Sequence, residues 1–328
     1  MPVVSVIIPV FNCEATLEKA VISACAQTLR DIEIVIVDDC STDGSFALAQ
    51  KLAAGDARIT CKQLAENGGS SVARNEAIDM ATGEWIAVLD ADDWYLPTRL
   101  EVLLRAAQEL KADLICDNLK IFDHVRQRVV DETSYTRDKP VELTPEYIFY
   151  NDTPLKRHAI GYTKPMVTKA FLTKHHIRND PAHRAGQDFI FLADIILNGA
   201  RAFLIRDALY VYVHRISPTT RKISPTSRSD AGFVLIVRGC DELMERYGAT
   251  MTPKARRALK RKRWIFANRV KCSGMLMALH EKKLGEATKI LAAYPFIMVL
   301  IGVTVAKMAY ANLLLYREKV GFRAFEQR

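Results

Sequence analysis

The sequence predicts an α/β chain built on a doubly wound, Rossmann-like and mostly parallel sheet with helices on both faces, followed by a helical C-terminal region. Three observations carry that expectation. Short, nearly continuous apolar runs alternate with helical periods over the first hundred residues. Acidic clusters stand where two of those runs end, and beyond residue 230 the chain turns helical and basic. Alternating strands and helices imply a parallel sheet covered on both sides, with ligands expected at the carboxyl ends of its strands.

Val4-Ser5-Val6-Ile7-Ile8 is the first strand, stopped by Pro9 and Asn12, and a helix follows with Ala15, Leu17, Ala20, Val21 and Ala24 at helical spacing. Ile32–Val37 is nearly all apolar, as a strand buried on both faces requires. It runs into the polar turn Asp38-Asp39-Cys40-Ser41-Thr42-Asp43-Gly44, which suits capping of a helix over Ser45–Leu52. Ile59–Leu64 and Trp85–Leu89 are further strands around a helix at Ser70–Met80, and the last of these strands ends in Asp90-Ala91-Asp92-Asp93. A helix at Thr98–Leu110 and a strand at Asp113–Phe122 close the regular part. Residues 123–185 carry little periodicity and predict loops and short pieces. Phe189–Leu197 is helical in pattern, Ala208–His214 is strand-like, and Ser217–Ser229 is a basic, turn-prone loop.

A chain of 328 residues holds one large α/β domain with an appendage. With 49% apolar and 26% charged residues, wholesale disorder is excluded. Seven cysteines, scattered and without a CxxC pair, argue against a disulfide framework or a structural zinc site and suit a reducing cytosol. The first thirty residues lack the basic start, apolar core and cleavage site of a signal peptide, so secretion is not expected. Net charge is +8, yet Lys254–Arg328 alone holds 17 Lys and Arg against 4 Asp and Glu, which leaves an acidic body with a basic tail.

Asp90-Ala91-Asp92 is the strongest chemical signal. Carboxylates two apart at a strand end can both turn toward one hard cation, Mg²⁺ or Mn²⁺, and such ions keep positions for substrate phosphates. An acidic turn capping the helix near Pro97 is the plainer reading. Asp38-Asp39 at a second strand end weighs against it, because two carboxylate pairs repel unless a cation or hydrogen-bond donors offset them. Asn67-Gly68-Gly69-Ser70 opens the next helix, with Arg74 one turn in; it matches neither a dinucleotide nor a P-loop fingerprint.

Taken in order, Ser5–Asn12, Val37–Gly44, Asn67-Gly68-Gly69 with Ala73-Arg74-Asn75, and Leu89–Asp93 resemble the motif set of family 2 glycosyltransferases across about the first hundred residues. The resemblance implies a GT-A fold and an inverting transfer from a nucleotide sugar, with a divalent metal, Mn²⁺ or Mg²⁺, at the diphosphate. It implies a nucleotide-sugar pocket of Pro9, Phe11, Asn12, Asp38, Asp39, Asn67, Gly68, Arg74, Asp90 and Ala91. Pro9 and Phe11 would lie beside the uracil, Asp39 would bond the base, and Asp90 would contact ribose or donor sugar. Asp92 would be the principal metal ligand, with His214 a further one, although a lone histidine is more often structural. Asp188 in Ala185-Gly186-Gln187-Asp188-Phe189 is similar to the family's base motif, with Gln187 where Glu is frequent; it also suits the N-cap of the helix behind it. Arg215, Arg221 and Lys222 suit a lid over the diphosphate, and a solvated loop is the alternative.

These residues divide the chain into a GT-A catalytic domain over 1–230, with a nucleotide-sugar half (1–110) and an acceptor and base half (111–230), and a basic helical region over 231–328. The run Lys254–Arg263 followed by Trp264-Ile265-Phe266 suits an anionic surface, either lipid headgroups or nucleic acid; no recognised nucleic-acid fold accompanies it, so no nucleic-acid partner is expected, and a helical hairpin that buttresses the catalytic domain or a dimer is the plainer reading. Ile290–Ala306 is uncharged but short of a spanning helix. The expectation is a cytoplasmic enzyme peripherally associated with the inner leaflet, with a homodimer as one option. No Gln-x-x-Arg-Trp stretch of processive synthases is present. Similarity to exopolysaccharide-building glucosyltransferases implies one sugar, glucose from UDP-glucose, added to a lipid-linked or oligosaccharide acceptor. A catalytically inactive nucleotide-sugar-binding scaffold is the competing reading.

Overall fold

The computed structural model describes residues 2–133, 135–136, 138–156, 158–214, 230–280 and 284–294. Strands β1 (Val4–Val10), β2 (Ile32–Asp38), β3 (Ile59–Gln63) and β4 (Trp85–Val88) alternate with helices α1 (Glu14–Cys25), α2 (Ser45–Gly55) and α3 (Ser70–Met80). The short β5 (Trp94–Tyr95) and α4 (Arg99–Leu110) follow, then β6 (Leu114–Asp123), β7 (Arg128–Glu132) and β8 (Val141–Glu142). Helix α5 (Pro145–Asn151) and a single helical turn at Ile160–Tyr162 lead to β9 (Met166–Thr168), α6 (Lys169–Lys174), α7 (Gln187–Leu197) and β10 (Ala202–His214). Helices α8 (Asp230–Tyr247), α9 (Pro253–His280) and α10 (Leu284–Ala293) complete the described chain.

One sheet runs β3-β2-β1-β4-β9-β6-β10-β5, with β7 paired to β6 and β8 to β10. Its first four strands are parallel throughout. Beyond them β9 lies antiparallel between β4 and β6, and β6 pairs with β10 in parallel. The apolar runs are continuous because both faces are covered, and side chains alternate between them. Val6, Ile8, Ile34 and Ile36 face Leu17 and Val21 of α1 and Leu103 of α4. Ile7, Val35 and Val37 face Ala73 and Ile78 of α3 on the other side.

That second core layer extends into the C-terminal helices. Cys240 and Leu243 of α8 and Ala255, Ala258 and Leu259 of α9 pack with Ile148 and Phe149 of α5 and with Phe189 and Ile190 of α7. The basic run is therefore two-sided. Lys262 is 0% exposed: its Nζ donates to the Asp152 main-chain oxygen at 2.6 Å and to the Asp152 carboxylate, and lies 3.7 Å above the Phe189 ring. Arg263 pairs with Asp241, while Lys254, Arg257 and Lys260 are exposed. Thus part of the charge assigned from sequence to an outside surface serves the interior.

Three further differences from the sequence reading have local causes. β5 and β9 are two and three residues long, too short for any periodicity to register. β10 starts at Ala202, not Ala208, because register shifts around Leu204 and Ala208 break the alternation where Arg206 and Asp207 sit. Helix α7 starts at Gln187 with Gly186 as its cap, at φ 71°, so Asp188 is in the first turn and not the N-cap. The seven cysteines are free thiols, in line with the expectation of no disulfides.

Candidate active site

The first part of the site is the pair of loops leaving β1 and β2. Asn12, at φ 51°, accepts at Oδ1 from the N–H of Thr42 at 2.9 Å, while its own N–H donates to Ser41 Oγ at 2.9 Å. Phe11 beside it is 47% exposed, an aromatic face standing open at the strand ends. Asp38 is fully buried and accepts from Ser41 N–H and Gln63 Nε2, both at 2.9 Å. The Asp39 carboxylate accepts from the N–H groups of Gly68 and Gly69, each at 2.8 Å, and its main-chain oxygen accepts from Asn67 Nδ2 at 3.0 Å. Gly69 sits at φ 88°, which only glycine adopts without strain, and so delivers two successive amides to one carboxylate. Hydrogen-bond donors therefore offset the repulsion within Asp38-Asp39, and no cation is needed there.

At the end of β4 the arrangement changes from hydrogen bonds to ion pairs. Arg74, one turn into α3, donates from Nη2 to Asp90 Oδ1 at 2.8 Å and from Nη1 to Asp188 Oδ1. Lys164 Nζ lies 2.8 Å from Asp90 Oδ2 and 2.6 Å from Asp188 Oδ2. Two carboxylates and two cations thus close a ring in which all four carboxylate oxygens are engaged. Its members come from four segments, between 74 and 188 in the sequence. Pairing of this kind holds only where geometry is good, because each ion is partly stripped of water.

Burial by itself pushes the Asp188 carboxyl up, but the Arg74 and Lys164 charges outweigh it and hold it well below the usual range. Asp90 is lowered in the same way, by Lys164 and then Arg74 acting against burial and the Asp188 charge. Asp93 goes the other way. It is 2% exposed, and burial together with the charges of Asp92 and Asp90 raises it well above an ordinary carboxyl. Its oxygens accept from the Tyr210 hydroxyl and the Val213 N–H, both at 2.7 Å, which ties β10 to the acidic turn.

Asp90, Asp92 and Asp93 bring one carboxylate oxygen each within 4.8 Å of one another. This is a hard, all-oxygen donor set suited to Mg²⁺ or Mn²⁺. Both oxygens of Asp90 and of Asp93 already have protein partners. The set fits the cation that the sequence implied.

The structure brings together Arg74, Asp90, Asp92 and Asp188 as the sequence suggested. Pro9, Phe11, Asn12, Asp38, Asp39, Asn67 and Gly68 gather at the neighbouring strand ends. Ala91 is 3% exposed and its side chain belongs to the core. The backbone of His214 ends β10 directly after Val213, beside the acidic cluster. Arg215, Arg221 and Lys222, and residues 295–306 of the uncharged stretch, lie outside the described residues. Sequence reasoning missed Lys164, and it missed Tyr210 as the partner of Asp93. The only sequence cue to Lys164 is its place before Pro165, which forces extended backbone into β9.

Comparison with known proteins bears on the family and the fold. A family model described as Glycosyl transferase family 2 matches residues 5–176. The succinoglycan biosynthesis protein ExoO of Rhizobium meliloti is 35% identical over 214 residues, covering 65% of this chain and 61% of that protein. The UDP-Glc:alpha-D-GlcNAc-diphosphoundecaprenol beta-1,3-glucosyltransferase WfaP of Escherichia coli is 41% identical over 100 residues, covering 30% of this chain and 39% of that one. The chain thus spans less than two thirds of the length of either relative. Among solved structures, S. aureus TarS 1-349 in complex with UDP-GlcNAc matches with a TM-score of 0.61 at 21% identity, covering 90% of this chain and 92% of that chain. The family match runs over more than half of the 328 residues, from the first strand through both acidic strand ends, and on that ground the chain belongs to glycosyl transferase family 2.

Proposed function

We propose that this protein transfers a single sugar, with inversion, from a UDP-sugar to a lipid-linked or oligosaccharide acceptor in exopolysaccharide or surface polysaccharide synthesis, and that the sugar is glucose. The observation that carries this reading is the ring at the end of β4, where Asp188 is one cation away from Asp90 on either side. A carboxylate within hydrogen-bond reach of the acceptor hydroxyl can serve as the base of a single in-line displacement.

In this reading Phe11 and Pro9 flank the uracil and Asp39 bonds the base. Asp90 and Arg74 hold the donor sugar. Asp92, with His214, would hold a divalent cation, which supplies electrostatic stabilisation to the departing diphosphate. Asp188 accepts the proton of the acceptor hydroxyl as its oxygen bonds to the anomeric carbon and the bond from that carbon to UDP breaks. The glucose and lipid-linked parts of the reading draw support from the activity that WfaP is named for, and the polysaccharide part from that of ExoO.

The place of action we infer is the cytoplasmic face of the membrane. Helix α9 contains no acidic residue in 28 positions, presents Lys254, Arg257 and Lys260 outward, and leaves Trp264 46% exposed. Cations near an anionic leaflet contribute about 1 kcal/mol each, and Trp favours the interface. Among the described residues no helix is long and apolar enough to cross a membrane.

The test is UDP release from a panel of nucleotide sugars with Mn²⁺, Mg²⁺ or EDTA, with and without diphosphate-lipid acceptors, for wild type, Asp92→Ala and Asp188→Ala. Metal-dependent release abolished by both substitutions, with UDP binding kept in Asp188→Ala, is the expected result. UDP binding without turnover on any acceptor would favour the inactive scaffold, and absence of nucleotide binding would refute both.

A further inference from the structure

Lys164 lies outside the sequence stretches on which the resemblance was read, yet its ammonium contacts both Asp188 and Asp90. We propose that Lys164 is a positioning residue for sugar transfer, fixing the plane of the Asp188 carboxylate and its distance from Asp90; this rests on the reading of Asp188 as the base.

The geometry is that of a built support. Lys164 is 3% exposed. Its ammonium reaches Asp188 Oδ2 at 2.6 Å and Asp90 Oδ2 at 2.8 Å, while Arg74 holds the opposite oxygen of each carboxylate. A carboxylate gripped on both oxygens cannot turn about its Cβ–Cγ bond, so the lone pairs left for an incoming proton keep one direction. A reacting group misplaced by 1 Å can lose about a hundredfold in rate.

The lysine is itself held from behind. Its main-chain oxygen accepts from Arg99 Nη2 at 2.6 Å. Arg99 is fully buried and bonded to Asp117 through both Nε and Nη2, with Nη2 to Asp117 Oδ1 at 2.8 Å. Pro165 then stiffens the backbone, and Met166–Thr168 is fixed between β4 and β6. Lys164 thus transmits the position of the sheet to Asp188, which stands on a different element, α7.

Charge points the same way. With Lys164 the ring is neutral. Without it, two carboxylates share one guanidinium whose Nε is already buried without a hydrogen-bond partner. Asp188 and Asp90 would then be pushed apart and the base would lose its fixed direction.

The test compares Lys164→Met, Lys164→Gln and Lys164→Arg with Asp188→Ala in the full chain, measuring kcat, donor KM, UDP affinity by calorimetry and thermal unfolding. The expected result is a kcat for Lys164→Met about a hundredfold below wild type, with UDP affinity within about threefold, and recovery to about a tenth of wild type or better in Lys164→Arg. Lys164→Gln gives the same reading if the Met variant does not fold. A kcat near wild type in either neutral variant, or kcat and UDP affinity falling together with no recovery in Lys164→Arg, overturns the proposal. Asp188→Ala separates the two inferences. If it retains transfer, the base reading itself fails; if it is inactive while Lys164→Met is fully active, only the role of Lys164 falls.

Discussion

The two halves of the site solve one electrostatic problem in different ways. At the end of β2, Asp38 and Asp39 sit together and are satisfied by neutral donors: a serine amide, a glutamine side chain and two glycine amides. At the end of β4, Asp90 is satisfied by two full charges brought from 16 residues upstream and 74 residues downstream, and those same charges hold Asp188. Neutral donors leave a carboxylate's charge in place for a ligand to meet. Counter-ions cancel it and fix its direction. On the proposed function, the first half would be a pocket that reads a ligand, and the second a clamp that orients reacting groups.

That contrast yields graded expectations. The largest effect belongs to the clamp. Asp188→Asn should lower transfer by two to four orders of magnitude, the usual range for a general base, while UDP affinity stays within about threefold; steady-state kinetics with calorimetry reads both, and parallel loss of UDP binding would break the distinction between clamp and pocket. Next comes Lys262→Met, which leaves the Asp152 carboxylate buried without its cation. It should cost about 3–5 kcal/mol in denaturant unfolding. A loss under about 1 kcal/mol would mean that α9 is not anchored through this lysine.

In the pocket, Asp39→Ala removes the acceptor for two glycine amides and should weaken UDP binding by about 1–3 kcal/mol, with kcat at saturating donor nearly unchanged; a collapse of kcat instead would assign Asp39 to the clamp. Smallest is the outer face of α9. Replacing Lys254, Arg257 and Lys260 together by Gln should leave stability within about 1 kcal/mol of wild type. Binding to vesicles of anionic phospholipid should weaken by about 1 kcal/mol per residue in flotation assays and be lost at high salt. Unchanged binding would move the contact away from this face.

The pocket half was legible in the sequence because its chemistry is contiguous. Val37–Gly44 carries strand end, turn and donors within eight residues, Asn67–Gly69 carries its donors at the start of α3, and the parallel sheet brings the two together. The clamp half was legible only in its acidic members. Asp188 could be found through its short motif, yet its place in the helix was misread because Gly186, not the aspartate, makes the cap. Lys164 could not be found at all. It lies in a stretch without periodicity, next to a three-residue strand, and its partners are 74 residues before it and 24 after it. The basic run of α9 was read as one surface, whereas helical spacing sends Lys262 inward and Lys254, Arg257 and Lys260 outward.

The bond between Asp39 and the Gly68 and Gly69 amides bears on where a diphosphate can rest. A helix N-terminus with open amides attracts anions, and many nucleotide folds seat their phosphates on one. Here the start of α3 already carries a carboxylate of its own, fixed by two 2.8 Å bonds. Any second anion approaching that helix meets a tenant of like charge. On the proposed function, a diphosphate would therefore rest toward the β4 side of the crevice, and the start of α3 would not serve as its anion seat.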